Sequence, residues 1–404
     1  MENNLHKNIR LFAEKNTRAC SDYLRELIAI PSTSCNENEV IERIKKEMLE
    51  IGYDEVTIDP MGNILGRIGN GKKVVAFDAH VDTVDVGNPQ LWDFDPFEGK
   101  EENGIIYGRG ASDMKAGMAA ITYAGKILKQ IGVPEDVTVY VVGSVQEEDC
   151  DGLCWQYIVN EDKLRPDLVV ITEPTNLNIY RGHRGRMEIE VETVGLSCHG
   201  SAPERGVNAI YKMAPIVMDI EKLNERLHYD DFLGKGTVTI SEIRSTSPSL
   251  CAVADSATIH LDRRLTAGET EETALDEIRN LPSFRKSQAR LRVLEYDTPS
   301  YTGLRYPTKK YYPTWKFEED HPAVQVAVKA YQRIFNGQPK IDKWTFSTNG
   351  VATAGMFGIP TIGFGPANEV YAHSPQDQCP MEHLTKAMMF YAALVWEWAG
   401  KDKK

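Results

Sequence analysis

The sequence predicts an α/β protein with a largely parallel central sheet, interrupted by a smaller ferredoxin-like α+β domain. Three observations predict it. Short apolar strands alternate with amphipathic helices up to about Arg181, the pattern of a parallel sheet covered by helices. Near Arg181 the texture changes to strands with one wet face, as in antiparallel sheets. The α/β texture then returns before the C-terminus. Residues 1–181 and 298–404 are therefore assigned to the larger domain and residues 182–297 to the inserted one.

Each element has its own signal. "IRLFAEKNTRACSDYLRELIAI" reads as a helix ending near Pro31, and "ENEVIERIKKEMLEIG" as a second helix closed by Gly52. "KVVAF" is a buried strand, "MKAGMAAITYAGKILKQIG" a helix closed by Gly132, and "VTVYVVGSV" and "PDLVVIT" are two further strands. In "RMEIEVETVG", Met187, Ile189 and Val191 share one face, while Glu188, Glu190 and Glu192 share the other. The helix "NAIYKMAPIVMDIEKLNERL" follows, then the strands "GTVTISEI" and "SATIHLDRRL". The helix "EETALDEIRNL" and the strand "ARLRVLEY" complete a β-α-β-β-α-β order, the split βαβ unit. The larger domain resumes with helices in "HPAVQVAVKAYQRIFNG" and "NGVATAGMFG", the strand "PTIGFG" and the helix "EHLTKAMMFYAALVWEWAG".

Composition narrows the partners. The formal net charge of -13 argues against nucleic acid or an anionic membrane surface. No apolar run approaches the roughly 20 residues of a membrane helix, and the N-terminus lacks the apolar core of a secretion signal. The seven cysteines are scattered and form no C-x-x-C, which fits reduced thiols in a cytoplasm.

Ligands of open α/β sheets sit beyond the carboxyl ends of the strands. "KVVAF" leads into His80 and Asp82, "VTVYVVGSV" into Glu147 and Glu148, "DLVVIT" into Glu173, and "PTIGFG" into a loop with His373. Asp113 lies in "GRGASDMKAG", just before a helix. Imidazole mixed with carboxylate suits Zn, Mn or Co better than calcium or an iron–sulfur cluster. Asp82 stands two residues after His80, on the same side of an extended chain, where its carboxylate could accept the other ring N–H of His80. A dinuclear metal site accounts for such a concentration of acids and imidazoles. The glycines of "GRGASDMKAG" lack dinucleotide-binding spacing, and "EEDCDG" lacks the ligand spacing of a calcium loop.

"AHVDTV", "GRGASDMKAG", "VQEED", "TEPT", "HGSAP", "LDRRLTAGET" and "AHSPQD" occur in that order. In this the chain resembles the dinuclear zinc aminoacylase and carboxypeptidase family, which includes acetylornithine deacetylases and succinyl-diaminopimelate desuccinylases. It looks closest to the hydrolases called selenium-metabolism-linked. The resemblance implies a metallohydrolase domain with an inserted lid and dimerisation domain. It implies one metal on His80, Asp113 and Glu173, a second on Asp113, Glu148 and His373, and Asp113 as the bridge. Glu147 would be the general base, and His199 of "CHGSAP" would reach the active site of the partner subunit in a homodimer. Arg184 and Arg264 match positions that often bind a substrate carboxylate.

The substrate pocket departs from the family pattern. Cys251 stands where relatives commonly carry an asparagine, "FSTNGVAT" brings Thr348 and Asn349 to a glycine-rich segment, and "AHSPQDQ" lacks a usual glutamate. Cys251 and Asn349 are therefore expected at the substrate. The expected function is metal-dependent hydrolysis of a small amide, either an N-acyl amino acid or a dipeptide-like compound with a free carboxylate. The alternatives are a ureido-type amidohydrolase of the same family and a non-catalytic binding protein on the same fold. A TIM-barrel amidohydrolase would want His-x-His after its first strand, and this chain has His-x-Asp.

Overall fold

The computed structural model describes residues 4–400. Two helices, Asn4–Ile28 and Asn38–Ile51, open the chain. Gly52 takes a left-handed conformation (φ 86°) and returns its N–H to the carbonyls of Met48 and Leu49, so it closes the second helix as its position predicts.

The central sheet has eight strands. From one edge they run Glu55–Ile58, Ile64–Gly69, Val137–Ser144, Lys73–His80, Leu168–Ile171, Thr361–Gly363, Ile179–Tyr180 and Ile341–Asp342. The four from Val137–Ser144 to Thr361–Gly363 are mutually parallel; Ile64–Gly69 joins them antiparallel, and Glu55–Ile58 pairs antiparallel with it in turn. Both faces are covered, which is why the parallel strands read as continuous apolar runs. Val75, Phe77, Val139, Val141 and Val170 face a large core shared with the helices Asn4–Ile28, Lys115–Ile131, Pro322–Phe335 and Met381–Ala399. Their alternates Ala76, Val142, Val169 and Ile171 face a second core with Trp155, Trp315 and Trp344.

Register positions the site. His80 pairs with Ser144, Asp78 with Ile171, and Gly363 with Ile171. The carboxyl ends of these parallel strands are thus level, and the chain leaves all of them along one edge.

The inserted unit forms an antiparallel sheet in the order Thr237–Thr246, Ser256–Leu265, Gly185–Val194, Arg290–Val293. This is the ferredoxin-like arrangement that the β-α-β-β-α-β order predicts. It has its own core, in which Met187, Ile189, Val191, Ile259 and Leu261 meet Met213, Ile216 and Ile220 of the helix Ala209–Glu225. The short strand Tyr311–Tyr312 also pairs with Arg186 and Met187, so the returning chain is stitched to this sheet.

One predicted helix is reduced. "NGVATAGMFG" forms only the π-helical turn Val351–Met356. Close approach fixes its glycines, since a Cβ at Gly350 would lie 2.5 Å from the Trp315 ring and one at Gly355 2.8 Å from Pro313. The hairpin Glu55–Gly69 and the helix Leu153–Asn160 are additions to the sequence reading. Among the described residues no helix is long and apolar enough to cross a membrane.

His183 sits where the inserted unit joins the larger domain. It is buried, and its Nδ1 must carry the proton because its partner, 2.9 Å away, is the carbonyl of Arg184. Its Nε2 accepts from the indole N–H of Trp315 (2.7 Å) and the N–H of Thr348 (3.2 Å). Burial lowers its pKa from 6.5 to about 4. The unfolded chain therefore binds this proton first. The stability contributed is complete above about pH 6.5 and is lost as pH falls toward 4, about 3 kcal/mol in all. Urea unfolding of the metal-free protein between pH 4 and 7 should show this slope in the wild type and not in His183→Gln. Equal slopes would mean that His183 is not the neutral buried group.

Candidate metal centre and cleft

The level strand ends bring six side chains together. His80 Nε2 lies 2.9 Å from Asp113 Oδ1, 3.2 Å from Glu173 Oε1 and 3.9 Å from Glu147 Oε2. His373 Nε2 lies 3.2 Å from Asp113 Oδ2 and 3.0 Å from Glu148 Oε2. Asp113 thus turns one oxygen to each histidine. His80 Nδ1 is 2.9 Å from the main-chain carbonyl of Asp82. A carbonyl only accepts, so Nδ1 carries a proton, and Nε2, turned to the carboxylates of Asp113 and Glu173, is the ring atom that would face a metal ion.

The Asp82 carboxylate does something other than the sequence suggested. Its Oδ1 is 3.6 Å from His80 Nδ1, too long for the expected hydrogen bond. Instead, Oδ1 accepts the N–H of Glu147 (3.2 Å), and Oδ2 accepts the N–H of Glu148 (3.0 Å) and the hydroxyl of Ser34 (2.7 Å). The turn after the strand Val137–Ser144 presents its N–H groups toward Asp82, and they outcompete the imidazole.

The electrostatics test whether these residues fit metal ions. Burial raises Glu147 well above the carboxylate range, with Asp151, Glu173 and Glu148 adding to the rise against the pull of His80. Burial and Asp113 likewise raise Glu148, and they raise Glu173 to about 8. Hydrogen bonds to Asp113 and Glu148 raise His373 to about 10. The two imidazoles therefore offset only part of this acid cluster. Glu147 Oε1 and Glu173 Oε2 are buried and have no hydrogen-bond partner among the described residues. Ligand-capable atoms of His80, Glu147 and Glu173, and of His80, Asp113 and Glu148, lie within 4.8 Å of one another. A set of imidazoles and carboxylates with unspent buried oxygens fits divalent cations.

A cleft of about 340 Å³ opens over the cluster. Asp113, Glu147, Glu148, Glu173 and His373 line it, together with Asp151, Arg186, Arg264, Ser347 and Glu369. Arg264 is held by Asp262 through Nε (2.8 Å) and Nη2 (3.0 Å). Arg184 does not line the cleft; it donates to the carbonyl of Lys235 (2.9 Å), and burial and the nearby Arg264 lower its pKa. Arg186 lines it instead, directly opposite Arg264 in the sheet register, with Nη2 3.2 Å from Asp151 Oδ1. Strand parity could have found it, because Arg186 begins the wet face of Glu188, Glu190 and Glu192. Ser347, which hydrogen-bonds Asp151, carried no signal of its own.

Two expectations need correction, those for Asn349 and Cys251. Asn349 is buried beneath the site and fully engaged. Its amide donates to Asp78 (2.9 Å) and Ser144 (3.1 Å), and its oxygen accepts the N–H of Gly152 (2.9 Å). It braces strand ends and has no donor to spare for a substrate. Cys251 is exposed and lies on the inserted unit beside His199, away from the cleft. His199, expected to act in a partner's cleft, lies outside this chain's own, hydrogen-bonded to the hydroxyl of Ser201 (2.7 Å) on an open surface with Tyr211 and Leu250.

Comparison with known proteins matches this arrangement. Residues 76–397 match the model of Peptidase family M20/M25/M40. The chain is 57% identical over 380 residues to the uncharacterized protein YgeY of Escherichia coli (strain K12), covering 94% of each. Its fold is similar to that of aminopeptidase PepT from Bacillus cereus ATCC 10987 (TM-score 0.72, 21% identity, covering 95% of this chain and 99% of that one). It is also similar to Bacillus subtilis YXEP, described as a dinuclear metal binding peptidase (TM-score 0.69, 14% identity, covering 95% and 98%). The matched span begins in the strand that delivers His80 and ends in the last helix, so the ligand edge and the inserted unit lie inside it; the chain belongs to Peptidase family M20/M25/M40 and is a metal-dependent peptidase or amidohydrolase.

Proposed function

We propose that this enzyme hydrolyses a small amide bond in an N-acyl amino acid or dipeptide-like substrate that carries a free carboxylate. One observation carries the reading. Asp113 divides its oxygens between His80 and His373, while Glu147 Oε1, buried and unpartnered, lines the same cleft. His80, Asp113 and Glu173 would hold one divalent ion, and Asp113, Glu148 and His373 a second. Zinc suits the donor set, with cobalt or manganese as alternatives. Such ions polarise an amide carbonyl and make water a nucleophile near neutral pH.

The chain's own groups do the rest. Glu147 takes a proton from the attacking water and gives it to the nitrogen as the C–N bond breaks. Asp82 fixes the backbone of Glu147 and Glu148. Arg264 lines the same cleft as the ligands, and a guanidinium fork suits a carboxylate. The YXEP description supports the two-metal reading. Within the family, we place the chain nearest the selenium-metabolism-linked hydrolases, relatives of the acetylornithine deacetylases, and in the cytoplasm.

The inserted unit would pair two subunits. Its edge strand Thr237–Thr246 has a partner on one side only, and Leu196, Tyr211, Met218 and Leu250 are exposed apolar side chains on the same unit. His199 on that surface would reach the partner's cleft.

Three measurements test these roles. Glu147→Gln should keep its metal and lose about 10²–10⁴ in turnover, the usual worth of a general base; loss of metal in proportion to activity would remove Glu147 from that role. The substrate for this assay comes from a panel of N-acyl, dipeptide and ureido compounds.

Mixing Glu147→Gln subunits with His199→Ala subunits should restore one working site per hybrid dimer. No recovery despite confirmed subunit exchange would mean that His199 does not act across the interface.

Amidating the carboxylate of the best panel substrate should lower kcat/KM at least about 30-fold, the scale of losing a hydrogen bond to a charged group. Arg264→Ala should erase most of that difference. Equal turnover of free and amidated forms by the wild type would sink the carboxylate reading.

A further inference from the structure

We propose that Glu37 is a positioning residue for the turn that carries Glu147 and Glu148. This rests on the roles given to those two glutamates above. Glu37 precedes the helix Asn38–Ile51, and its carboxylate makes no capping bond to that helix. Its Oε1 instead reaches across 109 residues to accept the N–H of Gln146 (3.0 Å), and it also accepts the N–H of Cys35 (3.0 Å). The residue is completely buried, and its Oε2 has no hydrogen-bond partner among the described residues. Burying a carboxyl group is costly. A helix start needs no such group; the distant turn does.

The geometry of that turn shows why. Gln146 has φ 57°, a left-handed conformation that a side-chain-bearing residue adopts only when its surroundings enforce it. The consecutive N–H groups of Gln146, Glu147 and Glu148 all point at buried carboxylates, the first at Glu37 and the next two at Asp82. Three converging N–H groups form an anion-binding concavity. Here it is filled by two carboxylates from other parts of the chain. The Gln146 side chain adds a second tether through Tyr296 (2.9 Å), whose hydroxyl donates to Asp149 (3.1 Å). Asp82 fixes the backbone of the two reactive glutamates, and Glu37 fixes the unusual residue that turns the chain toward them.

The test compares Glu37→Gln, Glu37→Asp and Glu37→Ala with wild-type full-length protein, metal-free and loaded with Co²⁺. Glutamine keeps an oxygen at the same reach; aspartate keeps the charge but is one methylene short. Amide hydrogen exchange is followed in the 144–150 segment and, as a control, in the inserted-unit strand 187–191. Visible Co²⁺ absorption reports the ligand field. In Glu37→Asp and Glu37→Ala, exchange at 146–148 should rise about fivefold or more, the scale of one lost hydrogen bond. The control strand should not change, and the Co²⁺ spectrum should shift. Glu37→Gln should follow the wild type in both readouts.

Wild-type exchange in Glu37→Asp, or a rise of equal size in the control strand, would overturn the proposal. If Glu37→Ala does not fold, the contrast between the aspartate and glutamine variants decides. Failure of the wild type to bind Co²⁺ would count against the metal-centre reading, while the exchange contrast in metal-free protein would still decide the role of Glu37.

Discussion

Buried carboxylates repel one another, and this protein gathers Asp82, Asp113, Glu147, Glu148 and Glu173 at one edge of its central sheet. The arrangement depends on positive groups that offset them. Backbone N–H groups take up Asp82, and two imidazoles share Asp113. Glu147 and Glu173 keep unspent buried oxygens. That remainder is the site's capacity for cations, and it follows from the burial of the acids as much as from their number.

The fold supplies the rigidity such crowding needs. Parallel strands with level ends, buried on both faces, project their following residues to one edge with little freedom. Asn349 braces the ends from below by bridging Asp78, Ser144 and Gly152, three points on separate stretches of chain. Asp377 does similar work beside Asp113, since its carboxylate accepts the N–H groups of Gly110 and Ser112. The residues that hold the site are thus largely acidic or amide side chains bonded to backbone N–H. Such bonds fix the backbone, and the reactive side chains inherit their direction from it.

The inserted unit contributes differently. Because it has its own core, its wet face is free to carry charge toward the cleft. Arg186 and Arg264 face each other across neighbouring strands, a like-charge pair that is unfavourable by itself. Asp151 and Asp262 each offset one of them. The Asp151 pairing crosses from the larger domain to the inserted unit, so the same contact that neutralises Arg186 ties the two parts together at the mouth of the site.

The sequence by itself determined the fold class, the inserted ferredoxin-like order and the placing of His80, Glu147, Glu148 and Glu173 at one sheet edge. The reason is local. A parallel strand must leave the sheet at its carboxyl end, so a residue just beyond each apolar run is committed to the same edge wherever the strands sit. What only the tertiary structure decided are the pairings across long stretches of chain. Asn349 read as a pocket residue and proved to be a buried brace, Asp82 was expected to hold an imidazole and holds two backbone amides, and Arg186 displaced Arg184 from the cleft. Each of these depends on strand register and on how a turn lies against a distant segment. Those are set by packing of the two cores, where one residue of slip exchanges the faces of a strand and no local pattern records which neighbour will be met.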